Sequence, residues 1–490
     1  MLIYLKLISA ILSLFFIGYG PAYFLLLKNN NSSARYNSIS GKFYILFISF
    51  YIGAFITSLF FIIMSLIGIK YNIRLVSILS LAAFIFFLYR YFSGKYFNEK
   101  NKFPKNFGPA KTAKTIFIVF AVFIAVNFAV VLFFAMLFPI RFWDAISCWS
   151  LKGKAFFIDG SINTFYSEHH YSFSHLSYPL YLPLIQTWIY FWMGEINENL
   201  VKIIFPLFYG SSCFILYYYF RFKLSRILSI VFVFIFSALP IVIDHGYIEY
   251  TNLLFSIILA IGVFNFYLSR IETKSAGKYL MISAVFFSML ALTRSEGLLY
   301  VFIFILLNLI FFAASLIKQK KIIKNLLNLI ISTGLAAAAL LPWFLLKIKL
   351  SLPLVSMEWS ELLRANANAG FGVGNIFDFK GAMQAFSAEV LFSAYDSTRA
   401  IFGSSYGPIW IILLILFMLN IRNHFKNYSW IFFVFIIFGF LSVFLSLAVI
   451  GDFIGSIERY MLHLFPVTYL WVISNCLPGV HYPDMGCRTY

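Results

Sequence analysis

The chain has 490 residues, of which 62% are hydrophobic, 21% aromatic and 11% charged, and it carries a formal net charge of +19. Soluble domains run about 45–50% apolar and about 25% charged, and no water-soluble fold of this length hides so much apolar surface. The composition therefore excludes a soluble enzyme, a disulfide scaffold and a disordered chain, and the long unbroken apolar runs exclude a membrane β-barrel, whose strands alternate.

What remains is an all-α, polytopic integral membrane protein. A membrane-crossing helix needs about 20 apolar residues. Thirteen candidates follow one another: 2–27, 43–69, 75–92, 115–140, 200–220, 227–243, 251–269, 279–293, 297–317, 325–346, 408–421, 429–450 and 460–476. The first is too long for the apolar part of a signal peptide and reads as a permanent helix. Residues 178–194 are apolar but short and contain Pro179 and Pro183, which suits a short or re-entrant helix buried in protein. The expected organisation is three spans and a basic linker (1–114), a helical module with a polar loop at 141–199 (115–346), a second large loop (347–407), the C-terminal spans (408–476) and a polar tail (477–490). Short interfacial helices are expected in the first loop.

Loop charges fix an orientation. With 141–199 outside and 178–194 not crossing, the inside connections hold 22 Lys and Arg against 2 acids, and the outside connections hold 13 against 15. Basic residues collect in cytoplasmic loops. The net charge therefore reads as membrane topology and not as affinity for nucleic acid. Lys70 and Arg74 fall outside, against the trend. Cys148, Cys213, Cys476 and Cys487 form no Cys-x-x-Cys pair and have no metal-ligand spacing.

Acids where the apolar pattern does not want them carry the functional information, because a charge at a helix centre costs about 2.5–3.5 kcal/mol. Asp144 lies four residues beyond a span in PIRFWDAISCWSLKGKAFF, an aromatic-rich stretch suited to the outer interface and interrupted by Lys152 and Lys154. It is either a general base beside lysines that attract an anion, or an acid that caps a helix or pairs with Arg141 or a lysine. Asp244 and Glu249 occupy a tight turn, DHGYIEY, as a second catalytic acid, as metal ligands, or as solvated residues at a helix start. His169, His170 and His175 invite a zinc reading, but their spacing fits no standard helical site. Arg294 with Glu296, and Glu458 with Arg459, are either local ion pairs or arginine clamps for a lipid phosphate. All of these fall on one outer face under the topology that the loop charges favour.

In order along the chain, these segments resemble the GT-C superfamily of membrane glycosyltransferases that use polyprenyl-phosphate sugars, in particular bacterial relatives of protein mannosyltransferases and aminoarabinose transferases. The resemblance covers roughly 115–466. WDAISCWSLKGKAFF resembles the start of the first extracytoplasmic loop, which carries the catalytic acid, here Asp144. HLSYPLYLPLIQTWIYFWMG resembles the Tyr-Pro helix ending in Gly, here Tyr178, Pro179, Pro183 and Gly194. HGYIEYTNLLF resembles the second acidic loop with Glu249 in the place of the usual aspartate, and LTRSEGLLY resembles the Lys/Arg-x-Glu-Gly turn. ERYMLHLFP resembles a late segment whose arginine, here Arg459, meets the lipid phosphate. The three N-terminal spans lie outside the resemblance.

The resemblance implies an inverting displacement at the extracytoplasmic face of the bacterial inner membrane. Asp144 would act as base. Glu249 would position the acceptor or the first acid. Arg459, with Lys152 or Arg294, would neutralise the leaving phosphate. His175 and Tyr178 would line the pocket, with Lys154, Asp244 and Glu296 nearby. The expected partners are a polyprenyl-phosphate sugar, a lipid, glycan or protein acceptor, and membrane lipids. No cofactor is expected: two carboxylates would permit a divalent metal, but the related enzymes of the mannosyltransferase type that the chain resembles do without one. The competing classes are a lipid-linked-glycan flippase or transporter, which would want charges in mid-helix, and a polysaccharide polymerase or ligase, which would want arginines and a histidine in the late loop. That loop, 347–407, holds Arg364 and Arg399 and no histidine.

Overall fold

A computed structural model describes residues 1–26, 39–92, 111–167, 174–272, 275–319, 322–354, 405–450 and 453–476. Among these residues all regular structure is helical. Helices suit the composition, since a helix satisfies its own backbone polar groups inside lipid. In chain order they are α1 (Leu2–Leu26), α2 (Ile39–Leu66), α3 (Ile73–Phe92) and α4 (Lys111–Leu137). A one-turn π-helix (Ala145–Ser150) runs into α5 (Leu151–Asp159), followed by α6 (Ile162–Ser167), α7 (Tyr181–Met193) and α8 (Glu198–Val201). Next come α9 (Ile204–Phe220), α10 (Arg226–Ser237), α11 (Pro240–Asp244), α12 (Asn252–Ile271), α13 (Ala276–Thr293), α14 (Gly297–Ile317) and α15 (Ile322–Lys349). The last described are α16 (Ile409–Leu419), α17 (Ile421–His424), α18 (Trp430–Ile450) and α19 (Phe453–Cys476).

Among the described residues eight helices are long and apolar enough to cross a membrane: α1, α2, α4, the α8–α9 unit, α12, α13, α14 and α15. The chain is therefore a multi-pass membrane protein. Four more apolar helices are shorter, within α3, α10, α16 and α18. α19 has 24 residues, but Glu458, Arg459 and His463 dilute its apolar character. The short 178–194 stretch forms α7, only 13 residues, about 20 Å long at the helical rise. That is less than a bilayer core. Nearly every α7 side chain is buried, and Gly194 ends it in the left-handed conformation at φ +79.

α12 sits at the centre of the bundle, buried over 252–269. α1 and α2 pack closely through two glycines: a Cβ on Gly18 would collide with the Ser49 carbonyl, and one on Gly53 with the Leu14 carbonyl. Close backbone approach through small residues is how helices gain packing where lipid is as apolar as leucine.

Contacts sort the helix connections into two ends. At one end, Tyr71 N donates to Gly160 O at 2.6 Å, and Lys349 Nζ donates to Ser65 O at 2.9 Å. Asn252 Nδ2 donates to Arg459 O at 3.0 Å there, and Arg294 reaches Tyr460. At the other end, Lys223 Nζ donates to Asn475 Oδ1 at 2.7 Å, Arg270 Nη2 donates to Asn308 Oδ1 at 2.5 Å, and Tyr428 packs on Phe311. The 347–407 loop lies outside the described residues from 355 to 404, as do His169, His170 and the tail.

Candidate functional site

The first end gathers most of the charged residues that the sequence singled out. Asp144 follows α4 and precedes the π-helix, where its side chain makes no cap bond. It is held instead by Arg459, 315 positions away, whose Nη1 donates to Asp144 Oδ2 at 2.8 Å. The expected local partner, Arg141, lies over the Phe138 ring at 3.8 Å. Arg459 also lies over the Tyr250 ring at 5.2 Å. The side chains of Arg459 and Asp144 are 28% and 40% exposed, so a ligand can reach both. The aromatic stretch around them is split: Ala145, Ser147, Cys148, Trp149 and Ser150 are buried, while Trp143 and Ile146 are exposed.

A second arginine stands beside this pair. Arg294 Nη2 donates to Glu296 Oε1 at 2.9 Å and to Tyr460 Oη at 3.2 Å, and Nη1 reaches Thr251 Oγ1 at 3.5 Å. The turn exists because α13 ends at Thr293 and α14 begins at Gly297, whose Cβ would collide with the Leu290 carbonyl. Cys148 lies within electrostatic reach of Asp144, Arg294 and Lys152, and burial pushes its thiol up. Arg294 and Arg459, at two different helix ends, both lie within electrostatic reach of His463. A fork of N–H donors on a rigid frame is suited to phosphate oxygens.

Glu249 stands apart from this pair. Its carboxylate meets Lys202 Nζ at 2.9 Å, and both side chains are 2% exposed. Lys202 Nζ also donates to the carbonyls of Phe138 and Pro139, just past the end of α4, where helix carbonyls lack partners. Burial raises the Glu249 carboxyl above its ordinary range, with Lys202 pulling it back. The pair stitches the turn before α12 to the end of α4. Asp244 accepts from Tyr247 Oη at 3.0 Å, and burial raises its carboxyl too. His245 and His463 went unassigned in the sequence, yet both are buried and lie within electrostatic reach of each other and of Arg459. Burial pulls the His245 imidazole down to about 3, with Arg459 adding to the effect.

The lysines occupy fixed positions. Lys154 pairs with Glu198. Lys152 is fully buried, and its Nζ donates to the His175 carbonyl at 2.8 Å. His175 has a left-handed backbone, φ +49, and its ring stacks on Tyr178 at 4.8 Å, which in turn meets Trp149 at 5.8 Å. Burial lowers the Lys152 ammonium to about 7. The unfolded chain would hold that proton up to about 10.4. Between these values the unfolded state binds more protons, so the contribution of Lys152 to stability rises with pH. Lys152→Met is therefore expected to stabilise the protein at neutral pH, with a smaller gain at pH 10. Thermal unfolding of both proteins in detergent at the two pH values checks this; an equal or opposite shift would contradict it.

Among the described residues no group of three His, Cys, Asp or Glu side chains could hold a metal ion. Compared with protein-family models, curated proteins and solved structures, the chain matches none.

Proposed function

We propose that this chain is a membrane glycosyltransferase that moves a sugar from a polyprenyl-phosphate donor to an extracytoplasmic acceptor by inverting displacement. The observation that carries the reading is the half-exposed Asp144–Arg459 pair, with Arg294 beside it, at one end of an apolar bundle. Such a transfer needs a base for the acceptor hydroxyl and a cation for the leaving phosphate, within one small region. In this reading Asp144 accepts the acceptor proton as the acceptor oxygen bonds the anomeric carbon. The bond from that carbon to the phosphate oxygen breaks, and the polyprenyl phosphate leaves with the electron pair against Arg459 and Arg294. Glu249, locked on Lys202, shapes the turn that presents Tyr250 to Arg459.

The same reading takes the bundle as thirteen crossings. The two sets of connections alternate along the chain, and in the sequence those of the second end hold 22 Lys and Arg against 2 acids, those of the first end 13 against 15. That enrichment favours the second end as cytoplasmic and the Asp144 end as extracytoplasmic, in a bacterial inner membrane. Charges gathered at helix ends, and not along a mid-membrane path, favour surface chemistry over transport. The test is incubation of purified protein with a panel of radiolabelled polyprenyl-phosphate sugars, followed by recovery of protein-bound lipid. Retention of at least one donor above a sugar-free, phosphate-free polyprenol control is expected. Equal recovery of every lipid would overturn the reading.

A further inference from the structure

One turn along α19 from Arg459 is a small recess between α12, α14, α18 and α19, lined by Phe255, Glu296, Tyr300, Gly439, Tyr460 and His463. It has room for a single water molecule and for nothing larger. That room exists because position 439 has no side chain: a Cβ there would collide with Leu464 and lie 2.5 Å from Tyr300 Oη. His463 is 3% exposed, and its Nε2 has no hydrogen-bond partner among the described residues. Leaving a buried polar atom unsatisfied is costly, and native structures satisfy such atoms with protein groups or with ordered water.

The charges around the recess choose its occupant. Glu296 lies within electrostatic reach of the Tyr300 hydroxyl, and Arg294 and Arg459 lie within reach of His463. The two guanidinium groups oppose a metal cation, and the Glu296 carboxylate opposes an anion. An apolar atom would leave Nε2 unsatisfied. Water is neutral and both donates and accepts. It can donate to the carboxylate, meet the imidazole nitrogen in either tautomer and bond the tyrosine hydroxyl. A buried water typically makes about three such bonds. The recess connects to the chemistry through Glu296, whose Oε1 accepts from Arg294 Nη2 at 2.9 Å and from Nε at 3.3 Å. The orientation of that carboxylate therefore sets where the Arg294 fork points. A fork fixed in advance loses less freedom when a phosphate arrives.

We propose that the recess binds one water, which joins His463 Nε2 to the Glu296 carboxylate and the Tyr300 hydroxyl, and that through this water His463 is a positioning residue for Arg294. The positioning role rests on the transferase reading above; the water site does not. His463 touches neither donor nor acceptor in this arrangement. It acts on phosphate binding by anchoring the acid that Arg294 grips.

The experiment pairs a high-resolution structure of the purified protein in lipid with retention of radiolabelled polyprenyl phosphate. Wild type should show ordered density about 2.7–3.2 Å from His463 Nε2, between it and Glu296. His463→Leu should lose that density and weaken retention about tenfold, a difference of about 1.4 kcal/mol. His463→Gln keeps a polar head for the water and should recover most of the retention, which a role in packing alone would not produce. Thermal unfolding in detergent gives an independent sign. In a dry recess His463→Leu removes an unsatisfied atom and raises the midpoint, whereas in a wet one it strips a partner from the water and does not. Absence of the density in wild type, or a raised midpoint for His463→Leu, would overturn the water site. Wild-type retention by His463→Leu, or equal losses in His463→Leu and His463→Gln, would overturn the positioning role. Wild type that shows the density yet holds no polyprenyl phosphate would sink the transferase reading and the positioning role, with the water site left standing.

Discussion

Asp144→Asn is expected to lower sugar transfer by about 10²–10⁴, the usual contribution of a general base, while the protein inserts and folds as before. The reason is the exposure of the pair that it breaks. Arg459 and Asp144 meet at 2.8 Å but are 28% and 40% exposed, and ion pairs in contact with water contribute only about 0–1 kcal/mol. Asparagine keeps the size and one acceptor for Arg459, so the fold has little to lose. The chemistry loses its base, and among the described residues the neighbouring acids are engaged: Glu249 with Lys202, Glu296 with Arg294, Asp244 with Tyr247 and Glu458 with Ser405. Arg459→Ala should behave differently, weakening retention of the donor as well as turnover, because the guanidinium is assigned to the phosphate. The measurement is transfer rate and lipid retention for both variants, with thermal unfolding in detergent as the control. Near wild-type transfer by Asp144→Asn would remove the base assignment, and a large loss of thermal stability would recast the pair as structural.

How far the sequence reached depends on the residue. Asp144, Arg294 and Arg459 were legible because a charge beside a long apolar run needs a task or a partner. Which partner each one takes was not legible. Asp144 had Arg141 three positions away, yet its partner is Arg459, because Arg141 turns back over the Phe138 ring. A contact across 315 residues leaves no local pattern. Lys202 was missed since it sits two residues inside an apolar stretch and reads as the edge of a span; its signal was a lone cation just after the acidic GEINENL. His245 and His463 were missed because a neutral imidazole scarcely disturbs an apolar pattern. The thirteen apolar runs were plain, but α10 and α16 shorten to 12 and 11 residues as helices. The run at 227–243 breaks where Pro240 starts a new turn, which composition does not mark as a break in the span.

Lys202→Met carries the largest expected loss of stability, about 3–5 kcal/mol, because it leaves the Glu249 carboxylate buried at 2% exposure with no counter-charge. It also frees the Phe138 and Pro139 carbonyls at the end of α4. The double variant Lys202→Met/Glu249→Leu should recover much of the loss, since apolar replacements of a whole buried pair are often neutral or stabilising. Acid should rescue the single variant in part. The Glu249 carboxyl is already raised by burial, and Lys202 is what opposes that rise. Without the lysine, the folded state keeps its proton to higher pH, whereas the unfolded chain releases it near about 4.3. Over that window the folded state binds more protons, so stability falls as pH rises and returns as pH drops. Unfolding midpoints at pH 5 and pH 8 should therefore differ more for Lys202→Met than for wild type, and equal pH dependence would show that Glu249 is not the group left behind. Because Tyr250 follows Glu249 directly and lies under Arg459, the destabilised turn should also weaken donor retention in Lys202→Met. The double variant should regain stability ahead of retention, since leucine fills the space without fixing the turn.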